Sequence, residues 1–226
     1  MKRPALKLAM SMLLAAAAAS CGGCTQLIAW MAAQFTPPKK IKPLYEVPKD
    51  KKILVLVEDR PFPSPYHVKY QLTQRVNQKL IEQKIIREAI PYDRVQDLST
   101  ARDYQQLAVS QIGQKLGADL VLYIQVEDFA LKDNPYSPLW RARLKTSVKF
   151  VDVQTGERLW PKTTTGTSGH PVKTAEYSHT EDPSITGDLV VNTLAEETAD
   201  RIAKFFYEHE EAADPDHDEG PKQPED

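Results

Sequence analysis

The amino-acid sequence predicts an α/β (α+β) fold: a single three-layer-like domain whose mixed sheet of about five strands, with a long C-terminal β-hairpin, is packed by three helices. Three observations support this prediction. Continuous runs of Val, Ile and Leu at 53–57 and 120–126 are typical of strands buried on both faces. Stretches with an apolar residue every three or four positions alternate with these runs. Strict alternation of apolar and polar residues over 140–150 predicts a long strand with one buried face.

The first half of the domain is predicted as strand, helix, short strand and helix. Three prolines between 59 and 65 end the first strand, and an amphipathic helix follows over 66–85. Residues 85–90 are a candidate short strand, and 101–116 returns to helical spacing. Gly117 falls where that helix should end, because glycine adopts the left-handed conformation without strain.

The second half begins with the hairpin. The alternating strand runs to about residue 153, Gly156 supplies the positive φ of a tight turn, and 158–165 returns as the partner strand. Residues 166–187 show no period and are predicted to be a long loop. A closing helix is predicted over 189–211.

The first twenty residues have the form of a secretion leader. Lys2, Arg3 and Lys7 precede a 12-residue apolar run, which is too short to span a bilayer as a permanent helix. The run ends in Ala-Ala-Ser-Cys, which resembles the lipobox of bacterial lipoproteins and implies that Cys21 is acylated. An ordinary signal peptide is the alternative, because Ala18 stands where the lipobox pattern prefers Leu. Since residue 22 is Gly rather than Asp, the resemblance implies an outer-membrane location facing the periplasm.

Composition divides the chain into four predicted segments. These are a signal peptide at 1–20, a lipid-anchor region with a Pro/Lys-rich tether at 21–50, the α/β domain at 51–211 and a disordered acidic tail at 212–226. The net charge is −2, but most of the negative charge lies in the last 19 residues, so the folded part is weakly positive. No nucleic-acid partner is predicted, because no Lys/Arg cluster is interleaved with aromatic residues along one element. Both cysteines lie near the N-terminus, so the predicted domain contains no disulfide.

No catalytic group is predicted. The paired carboxylates at Glu58-Asp59 and Glu127-Asp128 lie at strand ends, where adjacent side chains point to opposite faces. The sequence has neither a G-x-S-x-G elbow nor a phosphate-binding P-loop. His170 and His179 share the predicted loop with three acidic residues, but their spacing matches no compact ligand motif. We therefore predict no enzyme activity, no metal and no cofactor.

The predicted partner-binding residues lie on the alternating strand and in the loop that follows it. Arg141, Arg143, Lys145 and Lys149 should form a basic stripe on one sheet face, and Tyr177 should be exposed in the loop. Such a stripe suits an acidic protein surface or an anionic polymer of the cell envelope. The alternative is a solvated or helix-covered face with extended Lys and Arg side chains.

The order of these elements, together with two motifs, resembles a known family. The sequences Ile-Gly-Gln-Lys-Leu-Gly-Ala-Asp-Leu-Val-Leu at 112–122 and Val-Lys-Phe-Val-Asp-Val-Gln-Thr-Gly-Glu-Arg-Leu-Trp at 148–160 resemble the CsgG-type curli-transport lipoproteins. The domain of those proteins is similar to the N-terminal domain of TolB and to LpoB. Curli-type pores need long membrane-crossing hairpins, whereas here a few residues link the third and fourth strands. The resemblance therefore implies a relative that forms no pore.

These observations favour a non-catalytic lipoprotein of the bacterial cell envelope that acts as a protein-interaction or regulatory module. Its predicted partners are the membrane, through the lipid, and an envelope protein such as a cell-wall synthase or a secretion component. Two alternatives remain. One is a ring-forming component of a curli-type outer-membrane secretion system, and the other is a metal-dependent hydrolase. The sequence leaves the oligomeric state open.

Overall fold

The computed structural model describes residues 40–59, 66–134, 136–162, 169–180, 182 and 184–210. The chain divides into two compact units. One unit is Lys42–His209 and contains the main sheet, whereas the other combines Met1–Ile41 with Glu210–Asp226. The predicted leader, Cys21, most of the tether and the acidic tail lie outside the described residues.

The described part of the chain contains eight strands, four α-helices and one 3₁₀ turn. In chain order they are β1 (Lys40–Ile41), β2 (Ile53–Glu58), α1 (Tyr66–Glu82), α2 (Tyr92–Ser99), the 3₁₀ turn (Tyr104–Gln106), α3 (Val109–Leu116), β3 (Leu120–Ala130), β4 (Leu139–Asp152), β5 (Arg158–Trp160), β6 (His170–Pro171), β7 (Ala175–Thr180), α4 (Gly187–Lys204) and β8 (His209–Glu210). None of these helices has the length and apolar character needed to cross a bilayer.

The main sheet is mixed and has six strands, and β4 pairs with four of the other five. Strands β2 and β3 are parallel, β3 and β4 are antiparallel, and β5, β6 and β7 all pair with β4 in antiparallel orientation. At 14 residues, β4 is long enough to carry β5 and β6 near its C-terminal end and β7 along its N-terminal half. Strands β1 and β8 pair with each other as a separate two-stranded sheet.

Helices pack on both faces of this sheet, against part of each face. Ile53, Val55 and Val57 of β2 pack into a core with α1 and α4, whereas Leu54 and Leu56 pack on the other side with α2 and α3. The whole of β2 is therefore buried, as its continuous apolar run predicts. This arrangement confirms the predicted fold class, a mixed sheet between helical layers, with one more strand and one more helix than expected.

An aromatic cluster lies where the N-terminal segment enters the domain. The ring centroid of Tyr45 is 5.2 Å from that of Phe150 and 6.5 Å from that of Trp160. The backbone N–H of Tyr45 donates to the carbonyl of Phe205 just after α4. His170 completes the cluster, with its ring 5.0 Å from Trp160 and 4.9 Å from Phe205. These rings link the segment before β2 to the sheet and to the end of α4.

Two predictions for the region between β2 and β3 are wrong. Residues 85–90 contain one isolated bridge, between Ala89 and Ile53, instead of a strand. Lys84 turns the chain with φ of 56°, and the following Ile85 is buried in the core, so its apolar character reflects packing rather than pairing. Helix α2, which starts after Pro91, was not predicted, and the predicted helix over 101–116 is a 3₁₀ turn followed by the shorter α3.

The predicted long loop over 166–187 is also wrong within the described residues. Strands β6 and β7 form there, because the long β4 extends beyond β5 and offers free backbone groups for pairing. Along β7 the buried Ala175 and half-buried Tyr177 alternate with exposed Glu176 and Ser178. The closing helix ends at Lys204 rather than at residue 211.

Candidate interaction surface

Three of the four predicted cations project from one sheet face along the N-terminal half of β4, which we call its outer half. The side chains of Arg141, Arg143 and Lys145 on β4 are 61%, 44% and 53% exposed. The neighbouring strand β7 adds Glu176 opposite Arg143 and Ser178 opposite Arg141, both exposed. We call this surface of β3, β4 and β7 the open face.

The cations of the open face are paired with carboxylates. Arg143 donates through Nε to Oδ2 of Asp128 at 2.6 Å, and its Nη1 lies 3.4 Å from Oδ1 of Asp133. The pKa of Arg143 is raised, first by the hydrogen bond to Asp128 and then by the charge of that carboxylate. Arg141 Nη1 is 3.6 Å from Oδ2 of Asp133.

Lys145 continues this pattern along β4. Its Nζ lies 3.3 Å from Oε2 of Glu127, and Asp128 is its register partner on β3. The predicted basic stripe is therefore a surface of alternating charge over its outer half. These carboxylate partners depend on the pairing of β3 with β4, which the alternation along β4 alone does not reveal.

A β-bulge in β3 places two consecutive carboxylates beside these cations. Val126 pairs with Thr146 and Asp128 with Lys145, so Glu127 is the extra residue. After the bulge the side-chain parity of β3 is reversed: Phe129, paired with Leu144, packs against the core. The bulge thus turns Asp128 toward the open face. Glu127 and Asp128 both reach lysine or arginine there, although a regular strand would separate them.

Lys149, the fourth predicted cation, has different surroundings. Its register partner on β3 is Tyr123, and its Nζ lies 4.7 Å from the centroid of that ring. Burial lowers the pKa of Lys149, and the nearby positive charge of Arg158 lowers it further. Lys149 and Arg158 line a cleft of about 300 Å³ with the start of α3 and Gly156.

Tyr177 does not join the cations. It pairs with Ala142 on β4, so its side chain lies on the opposite sheet face from Arg141 and Arg143. There it is half-buried against the core of α1 and α4 and stacks on His179, with 6.3 Å between ring centroids. The prediction that Tyr177 is exposed in a loop is wrong, because alternation along an unrecognised strand directs it inward.

The two candidate metal-binding histidines lie far apart. His170 pairs with Val148 and His179 with Trp140, and eight residues of β4 separate these positions by about 26 Å. Within the described residues, no group of three or more His, Cys, Asp and Glu side chains is close enough to hold a metal ion.

The adjacent carboxylates at the end of β2 also diverge, as predicted. Glu58 accepts a hydrogen bond from the hydroxyl of Tyr104 at 2.7 Å, on the side of α2 and α3. Asp59 forms an ion pair with Lys69 of α1 at 3.2 Å, on the other side. Each carboxylate therefore has a separate structural partner, and the two do not converge on one point.

Comparison with known proteins places this chain in a lipoprotein family. Residues 85–204 match the family model described as "Putative lipoprotein GNA1162-like". The match covers more than half of the 226 residues, and the chain belongs to the GNA1162-like lipoprotein family. Membership fits a non-catalytic lipoprotein of the cell envelope, whereas the CsgG-type resemblance stays a hypothesis. No curated protein matches the chain in sequence.

The solved structures to which this chain is similar include a lipoprotein, a dodecamer and the C-terminal domain of LpoB. Lipoprotein GNA1162 from Neisseria meningitidis is 19% identical with a TM-score of 0.41, covering 70% of this chain and 99% of that one. A PelC dodecamer from Paraburkholderia phytofirmans is 12% identical with a TM-score of 0.38, covering 73% and 95%. The LpoB C-terminal domain from Salmonella enterica is 15% identical with a TM-score of 0.32, covering 59% and 85%. These TM-scores support no inference about function.

Proposed function

We propose that this protein is a lipid-anchored, non-catalytic module of the bacterial cell envelope that binds a protein partner through the open face. The observation that carries this proposal is the set of exposed, salt-bridged charges on β3, on β4 and in the turn between these two strands. Membership of a lipoprotein family and the leader that precedes Cys21 support the envelope location.

The charge pattern favours a protein over an anionic polymer. Three cations of the open face lie among four carboxylates, so the surface carries no net positive charge to attract a polyanion. A protein surface can match both signs at once, and such complementarity determines specificity and register more than raw affinity. Because the charges project from paired strands, much of their geometry is set before a partner arrives.

The anchor is the first part of the proposal to test. Mass spectrometry of the mature protein should find an acylated Cys21 at its N-terminus. Cys21→Ala should leave the protein soluble or mislocalised, with an unchanged urea unfolding midpoint. Release of the wild-type protein from membranes by salt alone would contradict the lipid anchor.

The open face can be tested by photo-crosslinking in cells. A benzoylphenylalanine residue replaces exposed Ser178 on the open face or, as the matched control, exposed Gln78 of α1. We expect a discrete adduct with an envelope protein from position 178 only, lost when Arg141→Glu and Arg143→Glu are added. Mass spectrometry of the adduct distinguishes a cell-wall synthase from a secretion component.

Two results would overturn this proposal. Equal adducts from positions 178 and 78 would mean that the open face has no special role. An adduct of twice the chain mass, together with particles of many copies in mass photometry of the detergent-extracted protein, would instead favour the ring-forming alternative.

A further inference from the structure

Strand β7 forms one edge of the main sheet, along the outer half of β4. One side of β7 pairs with β4, and no strand among the described residues pairs with its other side. At the opposite edge of the sheet, every residue of β2 is buried, so that edge is covered. On β7, by contrast, Glu176, Ser178 and His179 are exposed. The edge of β7 is therefore accessible, whereas that of β2 is not.

The hydrogen bonds around β4 show which backbone groups of β7 point outward. The N–H of Val172 donates to the carbonyl of Thr146, so the even-numbered residues of β4 direct their backbone groups toward β6 and β7. Ala142 has the same parity and pairs with Tyr177 on β7, so these two residues exchange hydrogen bonds. Bonded and unbonded pairs alternate in an antiparallel ladder, and the unbonded residues direct their N–H and C=O groups to the other side. The residues of β7 with outward backbone groups are Glu176, Ser178 and Thr180.

The chain covers the backbone just before β7 but leaves β7 itself open. Arg201 of α4 donates through Nη1 to the carbonyls of Lys173 and Thr174. In the described part of the chain, no side chain forms a hydrogen bond with the outward groups of Glu176 and Ser178. The strand contains neither proline nor lysine, the residues that commonly keep an edge strand from pairing. This edge can therefore accept a further strand.

Glu176 indicates the charge of the segment that would pair there. It is the register partner of Arg143, but that guanidinium is bonded to Asp128 and Asp133. Glu176 itself has no ion pair with any of the described residues. Because β7 contains no lysine or arginine, β7 of a second copy would bring neither opposite Glu176. Charge complementarity thus favours a basic segment of another protein over self-association.

The opposite face of β7 suits apolar side chains. Tyr177 is half-buried and stacks on the exposed His179. A strand added beside β7 would place every second side chain against these two rings, because neighbouring strands of a sheet bring side chains of the same face together. The incoming segment should therefore alternate basic or polar residues with apolar ones.

We infer that β7 binds an extended basic segment of a partner protein as a further antiparallel strand of the sheet. Main-chain hydrogen bonds to the outward groups supply affinity, and the alternating side chains supply specificity. Antiparallel addition is favoured because antiparallel pairs are slightly more stable per residue than parallel ones. The inference rests on the proposed function, since the segment is taken to belong to the partner that binds the open face.

The test uses the full chain in neutral detergent and a fluorescently labelled peptide, Ser-Thr-Val-Lys-Val-Thr-Val-Lys-Val-Ser. In an extended strand its lysines and threonines lie on one face and its valines on the other. We expect saturable binding in fluorescence anisotropy. In antiparallel addition, the peptide residues opposite Glu176 and Ser178 donate their N–H groups to β7. N-methyl groups on both lysines and the central threonine should therefore abolish binding, whereas N-methyl groups on three valines should leave it unchanged.

Variants of the protein assign the site to this edge. Glu176→Lys should weaken peptide binding about tenfold, because it places a like charge opposite a lysine of the peptide. The matched control Glu88→Lys makes the same charge change at an exposed residue outside the sheet and should have no effect. Ser178→Pro removes one outward N–H but no bond to β4, and it should weaken binding about tenfold. If Ser178→Pro lowers the urea midpoint, the two methylated peptides decide the question with the wild-type protein.

Three results would overturn the inference. They are no saturable binding of the unmethylated peptide, a loss from valine methylation that equals or exceeds the loss from lysine and threonine methylation, and equal losses from Glu176→Lys and Glu88→Lys.

Failure of this inference is distinguishable from failure of the proposed function. If the peptide does not bind while crosslinking from position 178 still depends on Arg141 and Arg143, the open face keeps its role and only the strand addition is wrong. If the peptide binds with the expected methylation pattern but position 178 yields no specific adduct in cells, the edge of β7 is confirmed as a strand-binding site and the proposed function is contradicted.

Discussion

Arg143 and Asp128 form a diagonal ion pair across β3 and β4, with 2.6 Å between the guanidinium Nε and the carboxylate Oδ2. The pair exists because the bulge at Glu127 turns Asp128 onto the face that the alternation of β4 assigns to Arg143. Both side chains remain nearly half exposed, so the pair organises the surface more than it stabilises the fold.

Exchanging the two charges separates these roles. Arg143→Asp and Asp128→Arg should each lower the urea midpoint slightly by placing like charges together. The double exchange should restore part of the midpoint because it re-forms the pair, although Asp133 and Lys145 would then each lie beside a like charge. It should not restore crosslinking from position 178, because the partner would meet an inverted pattern. Crosslinking in the double variant at the wild-type level would exclude this pair from the interface.

Gly113 in α3 should not tolerate a methyl group. A Cβ there would lie 2.6 Å from Cγ2 of Val153 and 2.7 Å from Cγ2 of Val121. We expect Gly113→Ala to destabilise the domain by about 1–3 kcal/mol through overpacking, even though alanine favours helix by about 1 kcal/mol. Urea unfolding should show partial recovery when Val153→Ala is added.

Gly117 provides the matched control for that experiment. It ends α3 with φ of 73°, and nothing lies within 4 Å of an added Cβ. Gly117→Ala should therefore cost about 1–2 kcal/mol through backbone strain alone. Val153→Ala should bring it no recovery, and a recovery equal to that of Gly113→Ala would argue against steric contact as the cause.

Tyr104 should stabilise the domain through its hydroxyl group. The hydroxyl donates to the carboxylate of Glu58 at 2.7 Å, and both residues are buried. Tyr104→Phe should cost about 1–3 kcal/mol in urea unfolding, because Glu58 loses a donor in an environment that water does not reach freely. Glu58→Gln keeps an acceptor and should cost less; an equal or larger loss would mean that the negative charge has another essential partner.

His170 should make stability depend on pH. Burial beside Trp160 and Phe205 lowers the pKa of His170 below its ordinary value of 6.5, so the unfolded chain binds its proton more readily than the folded chain does. The contribution of neutral His170 to the free energy of unfolding is therefore complete above the ordinary pKa of 6.5. It is lost as the pH falls below that value toward the lower pKa of the folded state. Urea midpoints between about pH 7 and pH 5 should fall less steeply in His170→Phe, and an unchanged slope would contradict this role.

The sequence predicts those features of the fold that depend on neighbouring residues in the chain. Gly117 and Gly156 both have positive φ because a helix end and a tight turn require it at those positions. The side-chain period of two predicts that Arg141, Arg143 and Lys145 share one face of β4, whichever strands pair with it. Such features depend on the residues beside them in the chain.

The rest depends on pairing between distant segments. Nothing near Ala175–Thr180 marks a strand, which forms because the outer half of β4 is free to pair. The bulge at Glu127 is a matter of register between β3 and β4, and it decides that the cations of the open face have acidic partners. The same register places Lys149 beside Tyr123, whereas Lys145 lies beside Asp128. The uniform alternation along β4 does not predict this difference in surroundings.

The aromatic cluster around Tyr45 has a mechanical consequence for an anchored protein. A pull from the membrane would reach the domain through the segment before β2, where Leu44 and Tyr45 bond the carbonyl of Phe205 and the Tyr45 ring packs on Phe150. The load would pass into the end of α4 and the C-terminal end of β4. Arg141 lies near the other end of β4, outside these contacts, so the open face is separate from this path.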